Sequence, residues 1–166
     1  MWHCNCGFGD DPANILYATV HQGHLTCPHC AGQIVCEIPP PNLPKFLSSA
    51  DVYSRLKHLQ NRKTESFHIA CLDARNRMTS KCRICIGSLT ECPVHPREVF
   101  FPAVHRHAAA VILVHNHPSG DPQPSPDDFE ITKRLVEAGV VLGIPVLDHV
   151  IIGKDSWYSF RDAGRL

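Results

Sequence analysis

No apolar run in this sequence approaches the roughly 20 residues that a helix needs to cross a bilayer, which excludes a membrane-spanning helix and a membrane partner. Neither sign of charge dominates, since 16 Lys and Arg face 16 Asp and Glu. That balance leaves no electrostatic footprint for nucleic acid, so DNA association has no support from net charge. The start, Met1-Trp2-His3-Cys4-Asn5-Cys6, lacks the basic and apolar regions of a secretory signal, and a cytoplasmic location is expected. Internal repeats and low-complexity tracts are missing as well. What the chain does have is 166 residues, 43% of them hydrophobic, enough for one compact core and a small appendage.

Cysteine is plentiful, with nine in all. In a reducing compartment clustered cysteines more often bind metal than form disulfides. Cys4-Asn5-Cys6 and Cys27-Pro28-His29-Cys30 are two close pairs, spaced as the two knuckles of a small zinc-ribbon-like module. Cys4, Cys6, Cys27 and Cys30 would close a structural zinc site, with His3, His24, His29 and Cys36 as alternative ligands. A thioredoxin-like reading of Cys-Pro-His-Cys finds no room for that fold before Pro39. A deaminase reading lacks both a proline before Cys27 and a suitable His-x-Glu. Residues 1–36 are therefore assigned to the cysteine module and 37–47 to a linker, where Pro39, Pro40, Pro41 and Pro44 favour an extended spacer.

Residues 48–166 read as one α/β domain, a mixed β-sheet flanked by helices on both faces. Val52, Leu56 and Leu59 recur at helical spacing and predict a helix from about Ser49 to Asn61. Strands are expected near 67–73 and 77–87, joined by a hairpin turn at Asp73-Ala74-Arg75-Asn76. Pro96 opens a helix through about His107, and Ala108 to Val114 reads as a buried strand. Ser125 and Pro126 supply the cap and first-turn proline of a further helix. Its buried stripe is expected at Ile131, Leu135, Ala138 and Leu142, and Gly143 and Pro145 end it. Val146 to Gly153 and Trp157 to Phe160 read as closing strands.

The chemistry concentrates after the buried strand, in Val114-His115-Asn116-His117-Pro118-Ser119-Gly120-Asp121-Pro122-Gln123-Pro124-Ser125-Pro126-Asp127-Asp128. Residues two apart on an extended chain project from one face, so His115 and His117 can converge on one ion. The segment from Pro118 to Pro124 forms a loop, and the helix opened at Ser125 returns Asp128 over the strand end. Two His and one Asp are three protein ligands, which leave a tetrahedral zinc one position for water, whereas a structural site is usually closed by four. Zinc acidifies bound water and polarises a carbonyl, so hydrolysis of an amide or related bond is the default reaction. Each part also has an ordinary explanation. A His-x-His at a strand end can be surface chemistry, and Asp128 can be the N3 partner of Ser125 in a capping box.

The pattern His115-x-His117-Pro118-x6-Ser125-x2-Asp128 is similar to the JAMM (MPN-type) metalloprotease signature. The blocks His95-Pro96-Arg97-Glu98-Val99-Phe100, Ala108 to Pro122, and Gly143-Ile144-Pro145-Val146-Leu147-Asp148-His149 resemble the RadC branch of that family. The resemblance runs from about Ser48 to the C-terminus and implies a glutamate just before the first long strand, a place that Glu65 fits. Its implied role is general base, holding the zinc-bound water and passing its proton to the leaving amine. Without the family, Glu91 and Glu98 are equally available. The resemblance also puts the Ser125 hydroxyl near the substrate carbonyl, where it would stabilise the oxyanion. Asn116 should point away from its two neighbours and brace the site. Asp148 and His149 match the pattern too, either as a polar pair at a strand start or in a metal role. Nothing in the chain matches the helix-hairpin-helix region common in RadC proteins.

Three motifs are set aside. His105-Arg106-His107 lies on an expected helix, where residues two apart diverge by about 200°. Cys82-Arg83-Ile84-Cys85 lies in an expected strand, which turns its thiols to opposite sides. The letters His-Asn-His are adjacent residues and cannot supply a nuclease motif of separated parts. The expected protein is a zinc-dependent metallohydrolase, a peptidase or isopeptidase acting on a peptide or protein substrate. It would hold one catalytic zinc, with a second, structural zinc at the N-terminal cysteines. The alternative is a DNA-repair or mobile-element accessory protein acting through DNA or protein binding. A third reading is a catalytically silent scaffold that keeps the fold.

Overall fold

The computed structural model describes residues 43–87 and 94–166, together with four short strands within residues 1–42. The chain divides into two compact units, Met1–Leu43 and Pro44–Leu166. In the first, Trp2–His3 pairs antiparallel with Val35–Cys36, and Thr19–His21 with His24–Thr26. Cys4, Cys6, Cys27 and Cys30 lie outside the described residues, and the expected structural zinc site lies there with them.

The second unit is a mixed five-stranded sheet with helices on both faces. It begins with α1 (Ser49–Leu56), where Ser48 and Asp51 form a reciprocal capping box. The helix expected to continue to Asn61 tightens instead into a 3-10 turn over Lys57–Asn61. Strands β1 (Ser66–Leu72) and β2 (Met78–Ile86) form a hairpin, turned at Asp73 to Arg77 with Asn76 at φ 57°. Then come α2 (Pro96–His105), β3 (Ala110–Asn116), α3 (Pro126–Leu142), β4 (Val146–Ile152) and β5 (Trp157–Ser159). The spatial order is β2-β1-β3-β4-β5, with β3 and β4 parallel and the other neighbours antiparallel. Among the described residues no helix is long and apolar enough to cross a membrane.

Strand β3 is covered on both faces, which explains why its sequence is a continuous apolar run rather than an alternating one. On one face Val99, Phe100 and Ala103 of α2, with Ile131 and Leu135 of α3, cover Phe67, Ile69, Val111 and Leu113. On the other, Val52, Leu56 and Leu59 cover Ala70, Leu72, Ile112, Val114 and Ile152.

Two details differ from expectation. Leu142 is 48% exposed, because the buried stripe of α3 runs instead through Asp128, Ile131, Thr132, Leu135 and Gly139. Cys82 and Cys85 face the same side, both buried in the core beside Ile69. The cause is a bulge: Phe67 pairs with Cys85 and His68 with Arg83, so Ile84 is an extra residue that reverses the alternation.

Candidate metal centre

The site lies where β3 ends and α3 begins. His115 is the sixth residue of β3 and is 1% exposed, so the strand carries it into the interior. His117 follows the strand, its N–H bonded to the Ile152 carbonyl at 3.0 Å, and a tight turn over Gly120 begins there. The loop seats closely on the β4 end. Lys154 N–H donates to the Gly120 carbonyl at 2.8 Å, and a Cβ on Gly153 would lie 2.4 Å from that oxygen. Ser125 then caps α3, and the first turn delivers Asp128, fully buried, to the two imidazoles.

One ligand atom from each of His115, His117 and Asp128 lies within 4.8 Å of the others, the one such group among the described residues. His115 Nε2 is 3.0 Å from His117 Nε2 and 3.1 Å from Asp128 Oδ1, and His117 Nε2 is 3.5 Å from Asp128 Oδ2. His105 and His107 join no such group, and α2 ends at His105.

The hydrogen bonds around the triad assign its tautomers. The Thr132 hydroxyl lies 2.5 Å from the Asp128 backbone carbonyl, which can only accept, so Thr132 donates there. It must then accept from His149 Nδ1–H, 2.6 Å away. His149 is wholly buried, and burial lowers its pKa far below the ordinary value, so the ring is neutral and its Nε2 is an acceptor. That nitrogen lies 2.9 Å from His115 Nδ1, which donates to it and leaves His115 Nε2 with its lone pair. His117 Nδ1 donates to the Asp121 carbonyl at 2.9 Å, with the same result at its Nε2. Phe67 and Phe160 wall the His115–His149 pair, their ring centroids 5.0 to 5.9 Å from the imidazoles.

The carboxylate is equally constrained. Ser125 donates both its N–H and its hydroxyl to Asp128 Oδ2, each at 2.7 Å. Asp128 Oδ1 is buried with no hydrogen-bond donor. Three acceptors thus face one another, two of them on buried side chains, which is costly unless a cation sits among them. The donor set of two imidazoles and a carboxylate fits zinc. Burial pushes the Asp128 carboxyl up, but the facing imidazoles of His115 and His117 and the Ser125 hydroxyl outweigh it and hold the group well below the usual carboxylate range. At His117 burial favours the neutral ring, yet the Asp128 hydrogen bond, the Asp121 carbonyl and the charge of Glu65 raise its pKa. In the absence of metal, the same negative charge therefore attracts a proton.

Glu65 is half-buried and directly precedes β1. Phe67 pairs with His115 in the antiparallel ladder, and continuing that register by two residues brings Glu65 level with His117, on the same face. Its position is braced from both sides. Asn116 Nδ2 donates to the Thr64 carbonyl at 3.1 Å, and Asn116 Oδ1 accepts from the Ser66 N–H at 3.0 Å and the Ser66 hydroxyl at 2.7 Å. The Glu65 carbonyl accepts from Gly87 N–H at 3.0 Å. Glu98 lies on α2 in an exposed ion pair with Arg97, and Glu91 lies outside the described residues.

Asp148 is not part of the site. It binds the Ser159 hydroxyl at 2.7 Å and the Arg161 N–H at 3.1 Å, tying β4 to the turn after β5. His149 supports His115 rather than joining the ligands. Thr132 was not anticipated. The signal was present, because Thr132 stands four residues after Asp128 on the same helix face.

Residues 46–165 match the RadC-like JAB domain family. A UPF0758 protein of Trichlorobacter lovleyi is 53% identical over 125 residues, covering 75% of this chain and 54% of the relative. A UPF0758 protein of Geobacter sulfurreducens is 51% identical over 123 residues, 74% of this chain and 54% of its own length. Another, of Methanosarcina barkeri, is 46% identical over 121 residues, 72% and 53% respectively. The chain thus spans about half the length of the curated relatives it matches. With its His-His-Asp cluster seated in a five-stranded mixed sheet, the chain belongs to the RadC-like JAB domain family.

Proposed function

We propose that this chain is a zinc-dependent hydrolase of amide bonds, a peptidase or isopeptidase. The observation that carries the reading is the convergence of His115 Nε2, His117 Nε2 and Asp128 Oδ1, the last buried without a donor. A zinc ion held by these atoms would keep one coordination position for substrate chemistry, acidifying water and polarising a carbonyl. Glu65, level with His117, takes the proton of the attacking water and delivers it to the leaving amine nitrogen. The chain from His115 through His149 and Thr132 holds the His115 ring in its ligating tautomer. Ser125 has two tasks and a single hydroxyl proton. At rest the proton binds Asp128 Oδ2; in the transition state it swings toward the oxyanion.

Metal analysis and a peptide and isopeptide library test the reading together. Zinc should be present, and the double variant His115→Ala/His117→Ala should lose this equivalent. Glu65→Gln should retain zinc and lose at least about a hundredfold in cleavage rate, the low end for a general base. Cleavage undiminished in Glu65→Gln, or a protein that takes up no zinc, would refute it.

A further inference from the structure

Zero net charge conceals a local asymmetry. Between Val52 and Thr64 the sequence carries Arg55, Lys57, His58, Arg62 and Lys63 and no Asp or Glu; β2 carries Lys81 and Arg83 and likewise no acid. Folding merges the two tracts. Lys81 and Arg83, two apart on β2, face the α1 side of the sheet. Lys81 Nζ comes within 3.4 Å of His58 Nε2. Burial first, then the charges of Arg62, Arg55 and Arg83, lower the Lys81 pKa, with no carboxylate acting against them. Among the described residues the ion pairs of Lys and Arg are Arg77–Asp73, Arg97–Glu98 and Arg161–Asp162, so none of these cations has an acidic partner.

Like charges gathered without counter-ions repel, and the arrangement becomes favourable when an anion lies across them. The location is open to one. β2 is the outer strand of the sheet, and Arg55 and Arg83 are exposed. The row also leads to the site, because Arg62 and Lys63 run directly into Thr64 and Glu65. We propose that this row binds a carboxylate-rich segment of the polypeptide substrate and so selects acidic chains for cleavage beside Glu65. The selection rests on the hydrolase reading; the binding itself does not.

An acidic polypeptide fits better than a nucleic acid for two reasons. A polymer with a charge on every nucleotide needs a broad positive field, whereas this chain is neutral overall and its basic row is confined to residues 55–63 and β2. Bases also need aromatic platforms to stack on. Tyr53, the aromatic of α1, is already stacked on Trp157 with centroids 4.5 Å apart.

The test is fluorescence anisotropy of the full chain with labelled oligoglutamate, with oligoglutamine and a single-stranded DNA oligonucleotide of equal length beside it. Oligoglutamate should bind, and the affinity should fall as salt rises. The triple variant Arg55→Gln/Lys81→Gln/Arg83→Gln should lose about tenfold, the product of three modest contacts, two of them exposed. The double variant Arg55→Gln/Arg83→Gln, which changes only exposed side chains, covers the case in which replacing Lys81 disturbs folding. Wild-type affinity in both charge variants, no preference for oligoglutamate over oligoglutamine, or tighter binding of the oligonucleotide would each overturn the proposal. Cleavage is scored separately. Hydrolysis with no preference for acidic peptides refutes this row and leaves the hydrolase standing, whereas acidic-peptide binding with no metal-dependent hydrolysis of any library member does the reverse.

Discussion

Thr132→Val removes one hydroxyl from a fully enclosed chain and leaves the side-chain shape nearly intact. In the native protein Thr132 accepts from His149 Nδ1–H at 2.6 Å and donates to the Asp128 carbonyl at 2.5 Å. His149 has 0% exposure, so water cannot replace the lost acceptor. If the proton stays on Nδ1, a buried donor is orphaned, at a cost of about 1–3 kcal/mol. If it moves to Nε2, it meets the His115 Nδ1–H, 2.9 Å distant. Relief then requires His115 to shift its own proton to Nε2, the atom that should hold the metal. The first route costs stability alone, whereas the second also protonates the nitrogen that faces the site, and the absence of water around His149 favours the second. Unfolding free energy of the metal-free protein should fall by about 1–3 kcal/mol, and zinc affinity, measured by competition with a chromophoric chelator, should fall about 10- to 100-fold. Thr132→Ser should restore both. Wild-type zinc affinity in Thr132→Val would refute the tautomer argument, whatever happens to stability.

Further outcomes follow from individual positions. Burial first, then Lys81, Arg62 and Arg83, depress the His68 pKa from 6.5 to about 3. The unfolded ring binds a proton that the folded ring refuses, so this group destabilises the protein as pH falls from 6.5 toward 3, by up to about 1.4 kcal/mol per unit. Urea midpoints across that range should show a shallower acid slope in His68→Leu, and an unchanged slope would contradict the assignment. Gly153→Ala places a Cβ 2.4 Å from the Gly120 carbonyl and 2.8 Å from Pro122, so it should displace the loop behind His117 and weaken zinc binding. Gly143→Ala meets nothing within 4 Å and strains only a left-handed cap at φ +68°, so it should cost about 1–2 kcal/mol in stability and spare zinc affinity. Asn116→Ala unties the segment bearing Glu65. Turnover should fall further than zinc affinity, and an equal loss in both would show that Asn116 serves the metal strand alone.

Periodicity was a sound guide where one covalent segment carried the signal. The apolar run around Val111 to Val114 had to be an interior strand, and Ser125-Pro126 had to start a helix, because capping and proline geometry act over a few neighbouring residues. The same locality explains the ligands. His115 and His117 share a strand face by alternation, and Asp128 lies within the following first turn. Failures came where a distant strand intervened. The bulge at Ile84 turns Cys85 to the side of Cys82, and no pattern within β2 announces the pairing that creates it. Leu142 fits the apolar period of α3, yet the buried stripe runs through Ile131, Leu135 and Gly139, so Leu142 remains exposed.

Sequence alone thus determined the α/β class and the His-His-Asp cluster, since both depend on interactions a few residues long. It singled out Glu65 only through family resemblance, since Glu65 is remote in sequence from the His-His-Asp cluster until the β1–β3 register sets it level with His117. The Thr132–His149–His115 chain, the Asn116 brace and the union of two basic tracts were decided by tertiary structure. Each joins residues that are remote along the chain, and hydrogen bonds and charges depend on distances in space that only the folded sheet sets.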